Sequence, residues 1–354
     1  MPAVMNLGAG APAGAGVGWV SPDDRQTTLA GVAGASGQPI EAATVFDLAS
    51  VTKVVATTCA LHRLAGFGQI DLTDPLTRYL GWLPQLAGVS LTDLAYHRAG
   101  LWEWQPLYLA GQPVATALAE LAPRYPVGRA RHYSDVGFML LGLVVAEVAA
   151  CPLDQAVTDL VLAPLRLERG GYAPVSPPVA SGGLGDVIER HMVATASPYP
   201  IRYHQPDFAW RVSETTGQAN DGNAFHAFGG VAGHAGLFAN LDDLLTLLAS
   251  LAGDQDFWAP AISARIFADG PDVGQAFGWR SQAVTYRNRP ACLLWHPGFT
   301  GCAVGFIPGT GFGLALLSNR LLAPRPTGTA ELWALTLAEV EALRPADPPT
   351  GVLP

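Results

Sequence analysis

Core-type residues between Ser50 and Gly66 recur every three or four positions, at Val51, Val54, Val55, Thr58, Leu61, Leu64 and Ala65. That spacing predicts a buried amphipathic helix, which the glycine ends. Ahead of it, residues 16–20, 27–32 and 44–48 read as short extended pieces. From about 72 to 223 the pattern turns helical and loop-rich. Prolines at 75, 84, 106, 123 and 126 interrupt it, one strong helix runs from about Asp135 to Ala150, and proline and glycine crowd 173–185. Behind the glycine run Gly229–Gly236 a helix is expected around 241–251, extended segments at 283–295, 301–307 and 313–317, and a closing helix near 329–343.

Strands at both chain ends are expected to share one sheet. The pattern then divides the chain into a sheet domain made of 1–75 and 225–345, a mainly helical domain over 76–224 inserted between its halves, and a loose tail at 346–354. No internal repeat appears.

Composition narrows the function classes. Hydrophobic residues make up 49% and charged residues 14%, which is globular and excludes disorder. The balance of 20 basic against 29 acidic residues gives −9, so the surface repels nucleic-acid backbones and anionic lipids. The longest apolar stretch, Gly137–Ala146, stops at Glu147, short of the roughly 18 residues of a membrane span. The uncharged first twenty residues lack a basic start and are broken by glycines, so they read as a lead into a strand rather than a signal peptide. Four dispersed cysteines, at 59, 151, 292 and 302, fit neither a disulfide framework nor a zinc site, and a cytoplasmic location is expected.

Of the 20 basic residues, 19 are arginines and one is lysine, Lys53. An ammonium can be desolvated and lose its proton, whereas a guanidinium effectively cannot. Ser50 lies three residues earlier, so both side chains share one helix face, with about 5–6 Å between Cβ atoms. Serine is a common N-cap, yet a capping box wants Glu or Gln at the third helical position, and a cation there opposes the helix dipole. The pair therefore also reads as a nucleophile beside a proton carrier, at a helix end whose free N–H groups would steady an oxyanion.

With these residues the chain resembles the serine β-lactamases, D-Ala-D-Ala peptidases and related esterases, most nearly their class C-like branch. Phe46-Asp47-Leu48-Ala49-Ser50-Val51-Thr52-Lys53 is similar to the family's Phe-x-x-x-Ser-x-x-Lys, Tyr133-Ser134-Asp135 to Tyr-x-Asn, and His296-Pro297-Gly298 to Lys- or His-x-Gly. Asp93–Leu101, Gly229–Phe238 and Gly298–Gly301 extend the likeness, which spans about residues 14 to 322. The resemblance implies an α+β fold, helices flanking an antiparallel sheet with a helical insertion, and a site in the cleft between them. It also implies acyl transfer, with Ser50 as nucleophile and Lys53 and Tyr133 handling its proton in an order left open. The backbone N–H groups of Ser50 and Phe299, the latter following Gly298, would form the oxyanion hole.

Three departures colour that expectation. Asp135 stands where the family has Asn; it accepts but cannot donate hydrogen bonds, and it would raise the Lys53 pKa. Pro297 removes a hydroxyl that would help hold a substrate carboxylate, and proline in a strand asks for an edge position. His296, in place of lysine, can be neutral at pH 7. Trp102 and Trp104 read either as an aromatic wall for the substrate or as packing, and His234 either as a cleft residue or as a tight-turn histidine.

No Gly-x-Ser-x-Gly elbow, metal-binding His-Glu-x-x-His or P-loop is present. The expected site is free of metal and cofactor. The reading is a serine hydrolase acting on a small ester or amide, with weak β-lactamase or D-amino-acid peptidase activity as a side reaction. Its partner is a small-molecule acyl substrate or β-lactam, with no nucleic acid and no membrane span, and the oligomeric state is left open. The alternative is a penicillin-binding-like or muropeptide-binding protein with little or no turnover, for which Asp135 and Pro297 argue.

Overall fold

Strand β1 (Gly14–Val20) alternates its side chains between two layers. Ala15 and Val17 pack with Leu314, Leu316, Leu332 and Trp333 on one face, while Val20 on the other joins the cluster of Leu241, Leu245 and Leu248. Gly18 shares that second face. A Cβ there would stand 2.9 Å from Leu245 Cδ1, so glycine lets the helix lie close on the sheet. The computed structural model describes residues 1–172, 175–253 and 255–345.

The main sheet has seven antiparallel strands in the order β10-β6-β7-β8-β9-β1-β2, so both chain ends contribute as expected. Its strands are β1, β2 (Arg25–Gly31), β6 (Arg280–Tyr286), β7 (Arg289–Pro297), β8 (Ala303–Ile307), β9 (Phe312–Ser318) and β10 (Leu343–Pro345). Helix α3 (Leu241–Gly253) covers one face and α4 (Thr329–Ala338) the other. A second, three-stranded sheet joins β3 (Phe46–Asp47), β5 (Leu237–Ala239) and β4 (Gly171–Tyr172), so the stretch 76–224 also pairs with the strand after the glycine run.

Several local expectations are corrected. Residues 283–295 are not one strand: β6 and β7 form a hairpin whose turn, Arg287 and Asn288, has φ of 47° and 61°. Two left-handed residues suit the twist of a tight hairpin, but the usual glycine signal is absent here. The closing helix ends at Ala338, and the chain returns as β10 along β6; the expected tail at 346–354 lies outside the described residues.

The segment after Ser50 is wound with wide π-type turns over Lys53–Thr58 before regular α1 (Cys59–Gly66), and every residue from Val51 to His62 is buried. It is a central helix enclosed on all sides, not an amphipathic one, because α2 (Asp135–Ala149) and the 229–236 turn cover the face that would otherwise meet water. No single helix among the described residues is long and apolar enough to cross a membrane.

Where α2 meets that turn, backbones touch. A Cβ on Gly142 would lie 2.7 Å from Gly233 Cα and 2.8 Å from Gly233 N. In an open helix Gly→Ala gains about 1 kcal/mol. Here we expect Gly142→Ala instead to lose about 1–3 kcal/mol, since neither backbone can swing aside. A urea midpoint equal to or above wild type would contradict this packing.

Candidate active site

Strand β3 delivers Asp47 into a tight turn that presents Ser50. Leu48 N–H bonds to Leu237 O at 3.0 Å, and Ala49 adopts φ 45°, a left-handed conformation that costs a non-glycine residue energy. The buried Asp47 carboxylate holds this turn by accepting Ala49 N–H at 2.8 Å and Asn220 N–H at 2.6 Å. Burial pushes its pKa up to about 6 despite those two bonds.

Lys53, fully buried, is the centre of the constellation. Its Nζ donates to Ser50 Oγ at 2.8 Å and to His234 O at 3.2 Å, and lies 2.7 Å from Asp135 Oδ1. Tyr133 turns its ring toward the same ammonium, 5.1 Å from the centroid. Burial alone would favour the neutral amine, but Asp135 first and Tyr133 second outweigh it, so the Lys53 pKa is raised and the resting side chain is a cation.

Motif Tyr133–Asp135 is braced from behind. Ser134 Oγ caps α2 by accepting Gly137 N–H at 3.1 Å and donates to Trp102 O at 2.6 Å, Asp135 N–H bonds to Glu103 O at 2.9 Å, and Ser134 N–H bonds to His97 Nδ1 at 3.0 Å. His97 also packs its ring 4.4 Å from that of Tyr133, and burial, with Arg131 and Lys53 nearby, keeps it neutral.

His296 is buried and neutral, its pKa held well below the ordinary value by burial and then by the Lys53 charge. Its Nδ1–H donates to Pro297 O at 2.9 Å, which leaves Nε2 with the lone pair. Strand β7 is an interior strand, contrary to the edge position that Pro297 suggested. The proline is accommodated because β6 pairs only as far as Arg280–Trp295, so the end of β7 is open on that side. The next turn is tied to the nucleophile: Thr300 Oγ donates to Asp47 O at 2.8 Å, and a Cβ on Gly298 would meet Leu48 O at 2.4 Å. Thr329 and Arg320 take the Gly298 and Phe299 carbonyls. Among the described residues, neither Ser50 N–H nor Phe299 N–H donates to a protein group.

The fold thus brings together Ser50, Lys53, Tyr133, Asp135 and His296, with Gly298 and Phe299 beside them. His234 enters through its carbonyl, while its ring pairs with Asp221. Trp102 contributes its carbonyl and turns its indole to Ala122 O and Arg124, and Trp104 is buried in packing. Sequence reasoning missed Asp47, His97 and Asp221. The first two stand inside stretches that carried the resemblance; Asp221 has no local signal, because its partner lies 13 residues away.

Behind the site Glu189 accepts Gly222 N–H and Tyr108 O–H, both at 2.6 Å, and burial with the Asp221 charge pushes its pKa up to about 8. Its proton is then held more tightly in the folded state than in the unfolded one, where the value is 4.5, so stability falls as pH rises from about 4.5 towards 8. Glu189→Gln is expected to flatten that part of the melting-temperature profile; an unchanged slope would remove Glu189 as its source.

A serine and a lysine sharing a hydrogen bond at a buried helix start, beside a tyrosine and the end of a sheet strand, define a serine hydrolase. Residues 9–338 match the Beta-lactamase family, and the chain belongs to it. It is 28% identical over 318 residues to the N-acetylmuramyl-L-alanine amidase of Bacillus subtilis (strain 168), covering 79% of this chain and 69% of that protein. The fold is shared with the D-amino acid amidase from Ochrobactrum anthropi SV3, at 19% identity and TM-score 0.67 over 95% of this chain and 96% of that one. It is shared too with EstCE1, a hydrolase with promiscuous acyltransferase activity, at 22% identity and TM-score 0.65 over 89% and 91%.

Proposed function

We propose that this chain hydrolyses a small ester or amide through an acyl-enzyme on Ser50. The observation that carries the reading is the 2.8 Å hydrogen bond between Oγ of the partly exposed Ser50 and the chain's single lysine, itself fully buried. Ser50 Oγ attacks the carbonyl carbon, and the oxyanion is taken up by the N–H groups of Ser50 and Phe299. A trans peptide points its N–H opposite to its C=O, so the Thr329 bond to Gly298 O turns Phe299 N–H the other way.

Lys53 enters as a cation already donating to Ser50 Oγ, and it cannot take the serine proton in that state. Tyr133 relays the proton in this reading, its oxygen taking the Ser50 proton as its own hydroxyl proton passes to the leaving group, with Lys53 steadying the alkoxide and Asp135 holding Lys53 in place. The leaving group collects the proton, and water then releases the acyl group by the reverse path. The names of the amidase relatives favour amino-acid amides and esters over β-lactams.

The test is pre-steady-state release of p-nitrophenol from a short-chain p-nitrophenyl ester, with intact mass on quenched protein. A stoichiometric burst with acyl mass on Ser50, absent in Ser50→Ala, is expected. No adduct and no turnover would leave binding without turnover as the better reading, and equal activity after Ser50→Ala would remove Ser50 as the nucleophile.

A further inference from the structure

The Asn220–Asp221 step touches both halves of the reactive pair without lending it an atom. Asn220 N–H bonds to Asp47 Oδ2 at 2.6 Å, and the other oxygen of that carboxylate holds Ala49 N–H, next to Ser50, at 2.8 Å. Asp221 Oδ1 accepts Ala224 N–H at 2.8 Å and lies 2.9 Å from His234 Nε2. His234 is buried, and its carbonyl is the one that receives Lys53 Nζ at 3.2 Å.

Two features make the Asp221 contact more than packing. Among the described residues His234 Nδ1 is buried without a partner, so the ring has Asp221 as its one polar anchor. The turn that carries His234 is also rich in glycine: Gly229, Gly230 and Gly236 have φ of 63°, 94° and 106°, conformations that lose much freedom on ordering. Thr57 and Tyr172 hold the turn at Gly233 O, 2.6 Å, and at Ala232 O, 3.2 Å, so the part left to a further side-chain contact is His234 itself.

We propose that Asp221 is a positioning residue for Lys53: by pairing with the His234 ring it fixes His234 within the 229–236 turn, so that the His234 carbonyl anchors the ammonium and keeps a second N–H aimed at Ser50 Oγ. This rests on Ser50 and Lys53 being nucleophile and partner, as proposed above. Asp221 touches neither substrate nor reacting atoms, and its effect is on the orientation of Lys53.

Lys53 is the only lysine, so protein made with ε-13C lysine carries a single labelled lysine signal that reports on this ammonium. Asp221→Ala is expected to shift or broaden that signal and to slow burst-phase acylation about tenfold to a hundredfold, the scale of a displaced catalytic group, with KM little changed. Asp221→Asn keeps an acceptor for the His234 N–H and is expected to recover most of both.

The proposal is overturned if folded Asp221→Ala keeps the wild-type signal and rate, or if the rate falls while the signal stays. Should the alanine variant not fold, Asp221→Ser, too short to reach His234, is read by the same criteria. Failure of both to fold would make the pair an element of the fold alone and would also overturn it. Ester hydrolysis that survives Ser50→Ala would instead sink the Ser50 reading, and the lysine signal would still judge Asp221.

Discussion

Lys53→Arg is expected to lower the acylation rate by about 10²–10³, the range lost when one positioned charge-stabilising donor is removed. Charge is conserved in this substitution, so the loss isolates geometry. The lysine head is a compact tetrahedral donor reaching three oxygens, on Ser50, His234 and Asp135, from a site with no exposed surface. A guanidinium is planar and larger, and its fixed fork cannot place one N–H on each of those oxygens. It would also overfill a closed pocket, at a cost of about 1–3 kcal/mol. Burst amplitude and rate on a p-nitrophenyl ester, with a melting curve to verify folding, decide the matter. Full activity in a folded arginine variant would mean that a positive charge near Ser50 suffices.

Gly298→Ala is the second large effect. The backbone at Gly298 does not require glycine by its φ, so the obstacle is contact alone: the added Cβ would stand 2.4 Å from the Leu48 carbonyl oxygen, a backbone atom that cannot rotate away. The 298–300 turn must then retreat from the Leu48–Ser50 segment, taking Phe299 N–H with it. Phe299 N–H shares its peptide plane with the Gly298 carbonyl that Thr329 holds, so the plane shifts as one and that bond is disturbed with it. Loss of one oxyanion donor costs about 10²–10³ in kcat, and that is the expected fall, with KM affected less. Unchanged kcat would remove Phe299 from the oxyanion hole.

The reactive pair was legible because its signals are local. Ser50 and Lys53 lie within one helical turn, the lysine is unique in the chain, and a first-turn cation breaks the capping pattern. The alternation along β1 and the apolar run of α2 were legible for the same reason: period and caps act over a few residues. Asp135 as the group that raises the Lys53 pKa was also foreseeable, because its carboxylate replaces an amide at a motif position.

Other features depended on neighbours that no local pattern names. The hairpin turn at Arg287–Asn288 and strand β10 exist because β6 offers them a partner, and β7 tolerates Pro297 because β6 stops short. Trp102 serves through its carbonyl rather than its ring, and His234 through its carbonyl while Asp221 occupies the ring. The sequence by itself therefore determined the single sheet shared by the chain ends, the helix start and the chemistry available at Ser50 and Lys53. Only the tertiary structure decided which backbone oxygens face the ammonium and which N–H groups stay free, because those are set by contacts between segments as distant as Asp47 and Thr300.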